Sequence, residues 1–279
     1  QVQILSSRPL FFWIRRQTPP NRGVAQVVAH LTGGQGVVSS SLATRTNDEP
    51  ADFILKSVDK ILERDFGYNL SSQEVQILDP FAGTGTFITR MFELGLIRDK
   101  DLHENLKHAL HANEIVLLAY YIACVNIETA YQARSGIYET FTGICLTDTF
   151  WLYQKPKIDQ KFSKPYQPTL FDLENSNGDR IKNEDQKSIQ VIIGNPPYSV
   201  SKSDVDYKEL DKSIAETYAT RSTAQNKNSL YDSYVKAFRW ASDRLDKDAG
   251  GIVAFVSNGN WIDNKSFDQF RKSIAEDFS

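Results

Sequence analysis

Val75-Gln76-Ile77-Leu78-Asp79-Pro80-Phe81-Ala82-Gly83-Thr84-Gly85-Thr86-Phe87 joins a short apolar run to a glycine-bearing turn and then to a helical pattern. The apolar run predicts a strand over Val75 to Leu78, the turn covers Asp79 to Gly85, and a helix is expected from Thr86 to Leu94. Gly83 and Gly85 let the backbone pass close to a ligand with no Cβ in the way. The amides at the start of the following helix suit a carboxylate. This is not a P-loop, because no Lys-Ser/Thr pair follows the second glycine, and the third glycine of the dinucleotide fingerprint is missing. A Gly-x-Gly turn alone is equally a tight strand-to-helix connection. The leading Asp79 and the trailing Phe87 set this one apart.

Working outward, Phe53, Ile54, Val58, Ile61 and Leu62 recur at helical spacing ahead of the turn. Beyond it, Leu110 to Asn113 reads as a second strand, and Ile115, Leu118, Ile122 and Val125 mark one face of a second helix. Gly143 to Thr147, Ile189 to Ile193 and Gly251 to Val256 read as further strands. Leu230, Tyr234, Phe238, Ala241 and Leu245 share a helix face, and Phe267 to Phe278 closes the pattern as a helix. Residues 149–187 are polar and read as a long surface insertion. Strands alternating with helices predict an α/β fold, a doubly wound parallel sheet of Rossmann-like type. Ligands of such sheets bind beyond the carboxyl ends of the strands.

Three features stand at those ends. Glu114 follows the second strand, where a carboxylate can accept hydrogen bonds from ribose hydroxyls; its plainer reading is a charge favouring the next helix N-terminus. Asp148 follows the third strand, where it can accept from the 6-amino group of an adenine or simply cap a turn. Asn195-Pro196-Pro197-Tyr198 follows the fourth. Asn-Pro and Pro-Pro usually mark only a turn, but here they close a buried strand. Transfer to an exocyclic amine needs acceptors for its N–H groups. The Asn195 side-chain oxygen and the Pro196 carbonyl can supply them, and Pro197 stiffens the loop. The ring of Tyr198 can stack on a base taken out of a duplex.

The chain has 279 residues, 41% hydrophobic and 24% charged, ordinary values for a globular protein. No apolar run approaches the ~20 residues that span a bilayer, and a cytoplasmic location is expected. Cys124 and Cys145 sit in apolar patterns as small buried hydrophobes. His30, His103, His108 and His111 lack partners at zinc-ligand spacing, so no metal is expected. The net charge of −3 does not favour nucleic acid, so any DNA-facing cations must be concentrated locally or come from elsewhere.

The pairing of DPFAGTGTF with GNPPY resembles the amino-methyltransferase superfamily in its cofactor-first motif order. LHANEIVLLAYYIACVNIE (110–128) and NKNSLYDSYVKAFRWASDR (226–244) are similar to the methyltransferase region of large single-polypeptide restriction-modification enzymes that also carry nuclease and helicase parts. The resemblance runs from about Asp52 to the end. It implies a class I fold that uses S-adenosyl-L-methionine to methylate adenine N6 in double-stranded DNA, on a base flipped from the helix. Asp79, Pro80, Phe81, Gly83, Thr84, Gly85 and Glu114 are then assigned to the cofactor, Asp148 to its adenine, and Asn195, Pro196, Pro197 and Tyr198 to catalysis. Helicase, nuclease and target-recognition segments of the same system are the implied partners. The alternatives are an inactive cofactor-binding fragment, or a methyltransferase acting on protein glutamine or RNA.

Two departures shape the expectations. The threonine-proline segment of the family corresponds here to Thr46-Asn47-Asp48-Glu49-Pro50, and residues 48–279 are read as the catalytic core with its C-terminal strands and target-recognition domain missing. The Gly251–Val256 strand is then expected to leave one edge unpaired unless another segment covers it, with self-association as the consequence. Gly23 to Thr46 looks like the conceptual translation of a tRNA gene, so residues 1–47 are expected as an irregular tail, non-native as protein.

Overall fold

The computed structural model describes residues 10–15, 27–29, 49–153, 173–198, 207–257 and 259–278. Seven strands form one sheet in the order β2-β1-β7-β6-β3-β4-β5. They are β1 (Leu10–Arg15), β2 (Val27–Ala29), β3 (Ile77–Asp79), β4 (Leu110–Glu114), β5 (Ile144–Leu146), β6 (Val191–Gly194) and β7 (Gly251–Val256). The five strands from β3 to β7 pair in parallel throughout, as the alternating pattern predicts. From β3 the chain winds one way to β4 and β5, then returns to lay β6 and β7 on the other side of β3.

The helices are α1 (Glu49–Phe66), α2 (Thr86–Glu93), α3 (Leu102–Glu104), α4 (Leu117–Ser135), α5 (Thr149–Leu152), α6 (Leu173–Asp185), α7 (Lys208–Ile214), α8 (Ser233–Arg244), α9 (Asn260–Asp263) and α10 (Asp268–Asp277). Two apolar layers sandwich the sheet. One gathers α1, α2 and α4 over residues such as Ile77, Leu110, Ala112, Ile193 and Ala254. The other gathers α7, α8 and α10 over Leu78, Ile192, Val253 and Phe255. Alternate strand residues serve opposite layers, as the period of two demands. In α1, Ile54, Leu55, Val58, Ile61 and Leu62 are buried, each stabilising the fold by roughly 1.5–3 kcal/mol. A bidentate pair from Arg90 to Asp52, at 2.7 Å for each bond, ties α2 to α1.

The structure bears on three expectations. The apolar periodicity of α4 selects Leu118, Ile122 and Val125, yet these are exposed; the buried face carries Tyr120, Ala123, Ile127, Ala130 and Tyr131. The helix is apolar on most of its circumference, so periodicity cannot choose its inner face, and small Ala123 and Ala130 permit closer packing. The insertion at 149–187 is not wholly irregular. It contains α5 and α6, and the Asn177 carboxamide of α6 both accepts from the Leu146 N–H and donates to the Leu146 carbonyl, each at 2.9 Å. That side chain does for the β5 edge what another strand would do.

The third concerns β7, expected to leave one edge unpaired unless another segment covers it. Its outer edge is not bare: β1 pairs with it antiparallel from Leu10↔Val256 to Arg15↔Gly251, and β2 pairs with β1. The N-terminal stretch therefore contributes two strands, the second from within the tRNA-like stretch. Residues 1–9, 16–26 and 30–48, including Thr46, Asn47 and Asp48, lie outside the described residues. Removal of residues 1–30 strips this cover and is expected to convert a monodisperse chain into a self-associating one, read by light scattering. A truncated chain that stayed monodisperse would contradict the role given to β1.

Candidate functional site

In a doubly wound sheet the crevice lies where neighbouring strands send their connections in opposite directions. Here that point falls between β3, which leads to β4, and β6, which leads to β7 on the other side. Asp79 and Gly194 are the last residues of these two strands. The glycine turn and the Asn-Pro-Pro-Tyr loop thus leave the sheet side by side, although 115 positions separate Asp79 from Gly194 (194 − 79). A Cβ added to Gly194 would lie 2.9 Å from Asp79 Oδ1, so the carboxyl of one motif fills the space that the glycine of the other leaves free.

Asp79 is 1% exposed. Its Oδ1 accepts from the Phe81 N–H at 3.1 Å, while Oδ2 is buried with no hydrogen-bond partner among the described residues. Burial drives its pKa up to about 7, opposed by the Phe81 amide and assisted by the negative charge of Glu114. Asp79, read from sequence as a cofactor contact, is buried at the base of the crevice against Gly194. The Pro80 carbonyl accepts from Thr149 Oγ1 at 2.6 Å. Phe81 is half-buried with its ring centroid 5.4 Å from that of Phe150 and 6.1 Å from that of Phe255.

The two turn glycines divide the work assigned to both. Gly83 has φ +56° and open space where a Cβ would point, which suits close approach by a ligand. Gly85 has φ +78° and faces protein: a Cβ there would meet Ile127 Cδ1 at 3.0 Å and the Ala123 Cβ at 3.2 Å. Gly85 therefore serves helix packing, letting α2 start against α4. No side chain among the described residues caps α2, which leaves its first amides available to a ligand. Thr84 is held through its carbonyl, which accepts from Asn126 Nδ2 at 2.9 Å.

Glu114 is 8% exposed and not the solvated charge of its plainer reading. Its Oε2 accepts from the Gly83 N–H and its Oε1 from the Val116 N–H, each at 2.7 Å. The carboxylate clamps the glycine turn onto the tip of β4. A carboxylate has about four acceptor positions, so two remain. Immediately after it, Ile115, Val116, Leu117 and Leu118 are 50–70% exposed, an apolar shelf beside the crevice. Sequence reasoning treated Ile115 only as part of a helix face; the signal was four apolar residues in succession after an acidic strand tip.

Asp148 performs the capping of its plainer reading. Its Oδ1 accepts from the Phe150 and Trp151 amides at the start of α5, and its Oδ2 accepts from the Tyr207 hydroxyl at 2.8 Å. Tyr207 carried no motif in the sequence. On the other flank Asn195 and Pro197 are exposed and Pro196 is buried. Tyr198 is half-buried, with its hydroxyl donating to the Val256 carbonyl at 2.7 Å. The Tyr198 ring is thereby tied to the end of β7. The structure brings Asp79, Gly83 and Gly194-Asn195 to one end of the sheet, with Glu114 and Asp148 along the tips on one side and Tyr198 on the other. No helix among the described residues is long and apolar enough to cross a membrane.

The family model of the Eco57I restriction-modification methylase matches residues 114–279. Among solved structures, the chain is 38% identical to that of a DrdV–DNA complex, with a TM-score of 0.71, covering 81% of this chain and 22% of that one. It is 41% identical to a nuclease-deletion mutant of the Type ISP restriction-modification enzyme LlaGI in complex with a DNA substrate mimic (TM-score 0.70; 83% and 19% covered). It is 38% identical to LlaBIII, an ATP-dependent Type ISP restriction-modification enzyme bound to DNA (0.71; 87% and 16%). The chain thus spans about a fifth of the length of these structures. No curated protein matches it.

Two outcomes test this geometry. Asp79 binds a proton more tightly folded than unfolded, so the stability it contributes is full below about pH 4 and is lost as pH rises through about 7. Asp79→Asn cannot ionise. Denaturant unfolding at pH 4 and pH 8 is expected to show the variant gaining on the wild type by up to about 4 kcal/mol across that range. A pH-independent gap would contradict the buried carboxyl. Gly194→Ala is expected to cost about 1–3 kcal/mol through overpacking. The loss should shrink in the Asp79→Ala background, and strict additivity of the two substitutions would deny the contact.

Proposed function

The chain belongs to the Eco57I restriction-modification methylase family, and on that premise we propose that it is the catalytic core of a site-specific DNA methyltransferase that transfers a methyl group from S-adenosyl-L-methionine to N6 of a flipped adenine. One observation carries the reading. An Asn-Pro-Pro-Tyr loop leaves β6 beside the glycine turn of β3, across the crevice where such sheets bind ligands.

The residues present fit the cofactor. The open space at Gly83 and the uncapped start of α2 accommodate its methionine carboxylate. The acceptor positions left on Glu114 suit ribose hydroxyls, and the shelf from Ile115 to Leu118 suits a planar purine. When bound, the cofactor supplies an electrophilic methyl on sulfonium sulfur. The chain's own residues prepare the acceptor. The Asn195 side-chain oxygen and the Pro196 carbonyl accept the two N–H groups of the adenine amine, which keeps its lone pair directed at the methyl. Tyr198, tethered to β7, stacks on the extruded base. Holding amine and methyl in line is then the principal source of rate.

DNA is the proposed substrate because the DrdV structure and those of the Type ISP enzymes LlaGI and LlaBIII, 38–41% identical over most of this chain, are complexes with DNA or a DNA mimic. Nuclease, helicase and target-recognition segments are proposed partners on the same ground, and their cations would answer the net charge of −3. Asn195→Ala is expected to lower methyl transfer to DNA at least a thousandfold, read with labelled cofactor, while calorimetry shows cofactor affinity changed less than threefold. Transfer within tenfold of wild type would refute the assignment.

A further inference from the structure

Both oxygens of Asp148 are already engaged by the protein, which limits what a ligand can use. Oδ1 receives two backbone amides, from Phe150 at 3.0 Å and Trp151 at 3.3 Å. Oδ2 receives one donor, the Tyr207 hydroxyl at 2.8 Å. With about two acceptor positions per carboxylate oxygen, Oδ1 is filled and a single position remains, on Oδ2. The direction of that position is set by whatever occupies the other one.

From this count we propose that Tyr207 is a specificity-determining positioning residue: its hydroxyl fixes Asp148 so that the one remaining acceptor of Oδ2 receives the 6-amino group of the cofactor's adenine. The inference rests on the reading above that Asp148 serves that adenine. Asp148 is half-buried at the tip of β5, and the Thr147 amide bonds the Glu114 carbonyl at 2.9 Å, so the carboxylate adjoins the proposed ribose site.

Tyr207 is built to hold still. It is 8% exposed, and its ring meets Phe150 edge-on with centroids 5.4 Å apart. Lys236 Nζ stands over the ring, 5.4 Å from its centroid, and is itself paired with Asp211 of α7. Burial, reinforced by the bond to Asp148, holds the phenol well above its ordinary pKa, so it keeps the proton that it donates to Asp148 Oδ2. Phe150 packs on Phe81, which carries the same fixed geometry to the glycine turn. A donor just before α7 thus orients an acceptor between β5 and α5, a coupling between residues 59 apart in sequence.

The test compares two ligands on the intact chain by calorimetry: S-adenosyl-L-methionine and its 6-oxo analogue, in which a carbonyl replaces the amino group. The wild type is expected to prefer the amino form by tenfold or more, because the 6-oxo form sets acceptor against acceptor. Tyr207→Phe keeps the ring and its packing and removes only the hydroxyl. It is expected to weaken the amino form about tenfold, leave the 6-oxo form within twofold, and so abolish the preference. Asp148→Asn is expected to lose the preference as well. Equal weakening of both ligands by Tyr207→Phe would make its role merely structural and overturn the proposal. An intact preference in Tyr207→Phe, with the preference lost in Asp148→Asn, would overturn it while sparing the reading of Asp148. A wild type that shows no preference, or binds neither ligand, would defeat that reading and the proposal with it.

Discussion

The parallel pairing of β3 with β6 is the constraint on which the candidate site depends. It sets Ile77 against Val191 and Leu78 against Ile192, so the two strands end within one residue of each other. At that level the Asp79 carboxyl lies where a Cβ of residue 194 would otherwise be. Slipping the register by one residue would turn every side chain of β6 to the wrong layer and would separate the two loops. The apolar layers on both faces therefore hold the site together, since they make that slip costly.

Around this pairing the polar groups at the strand tips act first on the protein. Glu114 clamps the Gly83 amide, Asp148 caps α5 and receives Tyr207, and Tyr198 reaches the Val256 carbonyl. Each has turned part of its hydrogen-bonding capacity inward, which fixes the direction of what remains. Such preorganisation is what in-line transfer needs, because misplacement of a reacting atom by about 1 Å can cost ~100-fold in rate. Asp79 is the extreme case: entirely inward, poorly hydrated, and held partly protonated near neutrality. Its carboxyl stabilises the junction of the two loops by filling space, and its charge opposes the fold.

The sheet edges are finished by different means. Asn177 satisfies the backbone of Leu146 at one end, and β1 continues the ladder beyond β7 at the other. Both covers come from segments that composition marks as irregular. The outward face of α4 is left apolar, from Leu118 through Tyr121 and Ile122 to Val125, next to the shelf that follows Glu114.

What the sequence determined by itself was local. Hydrophobic period, glycine and proline placement and strand length are set by near neighbours, and they sufficed for the five parallel strands, the flanking helices and the loops at their carboxyl ends. The position of Gly83, Glu114, Asn195 and Tyr198 at the carboxyl ends of strands was legible for the same reason. Only the tertiary structure decided which tips are neighbours, because strand order depends on where the chain crosses over and not on any local pattern. It separated Gly83, open to ligand, from Gly85, pressed on Ile127. It sealed Asp79 against Gly194, chose the inner face of α4 by the close fit of Ala123 and Ala130, and brought Tyr207 to Asp148. Each of these is a contact between residues far apart in the chain, formed when packing and burial, and not propensity, have the larger free energy at stake.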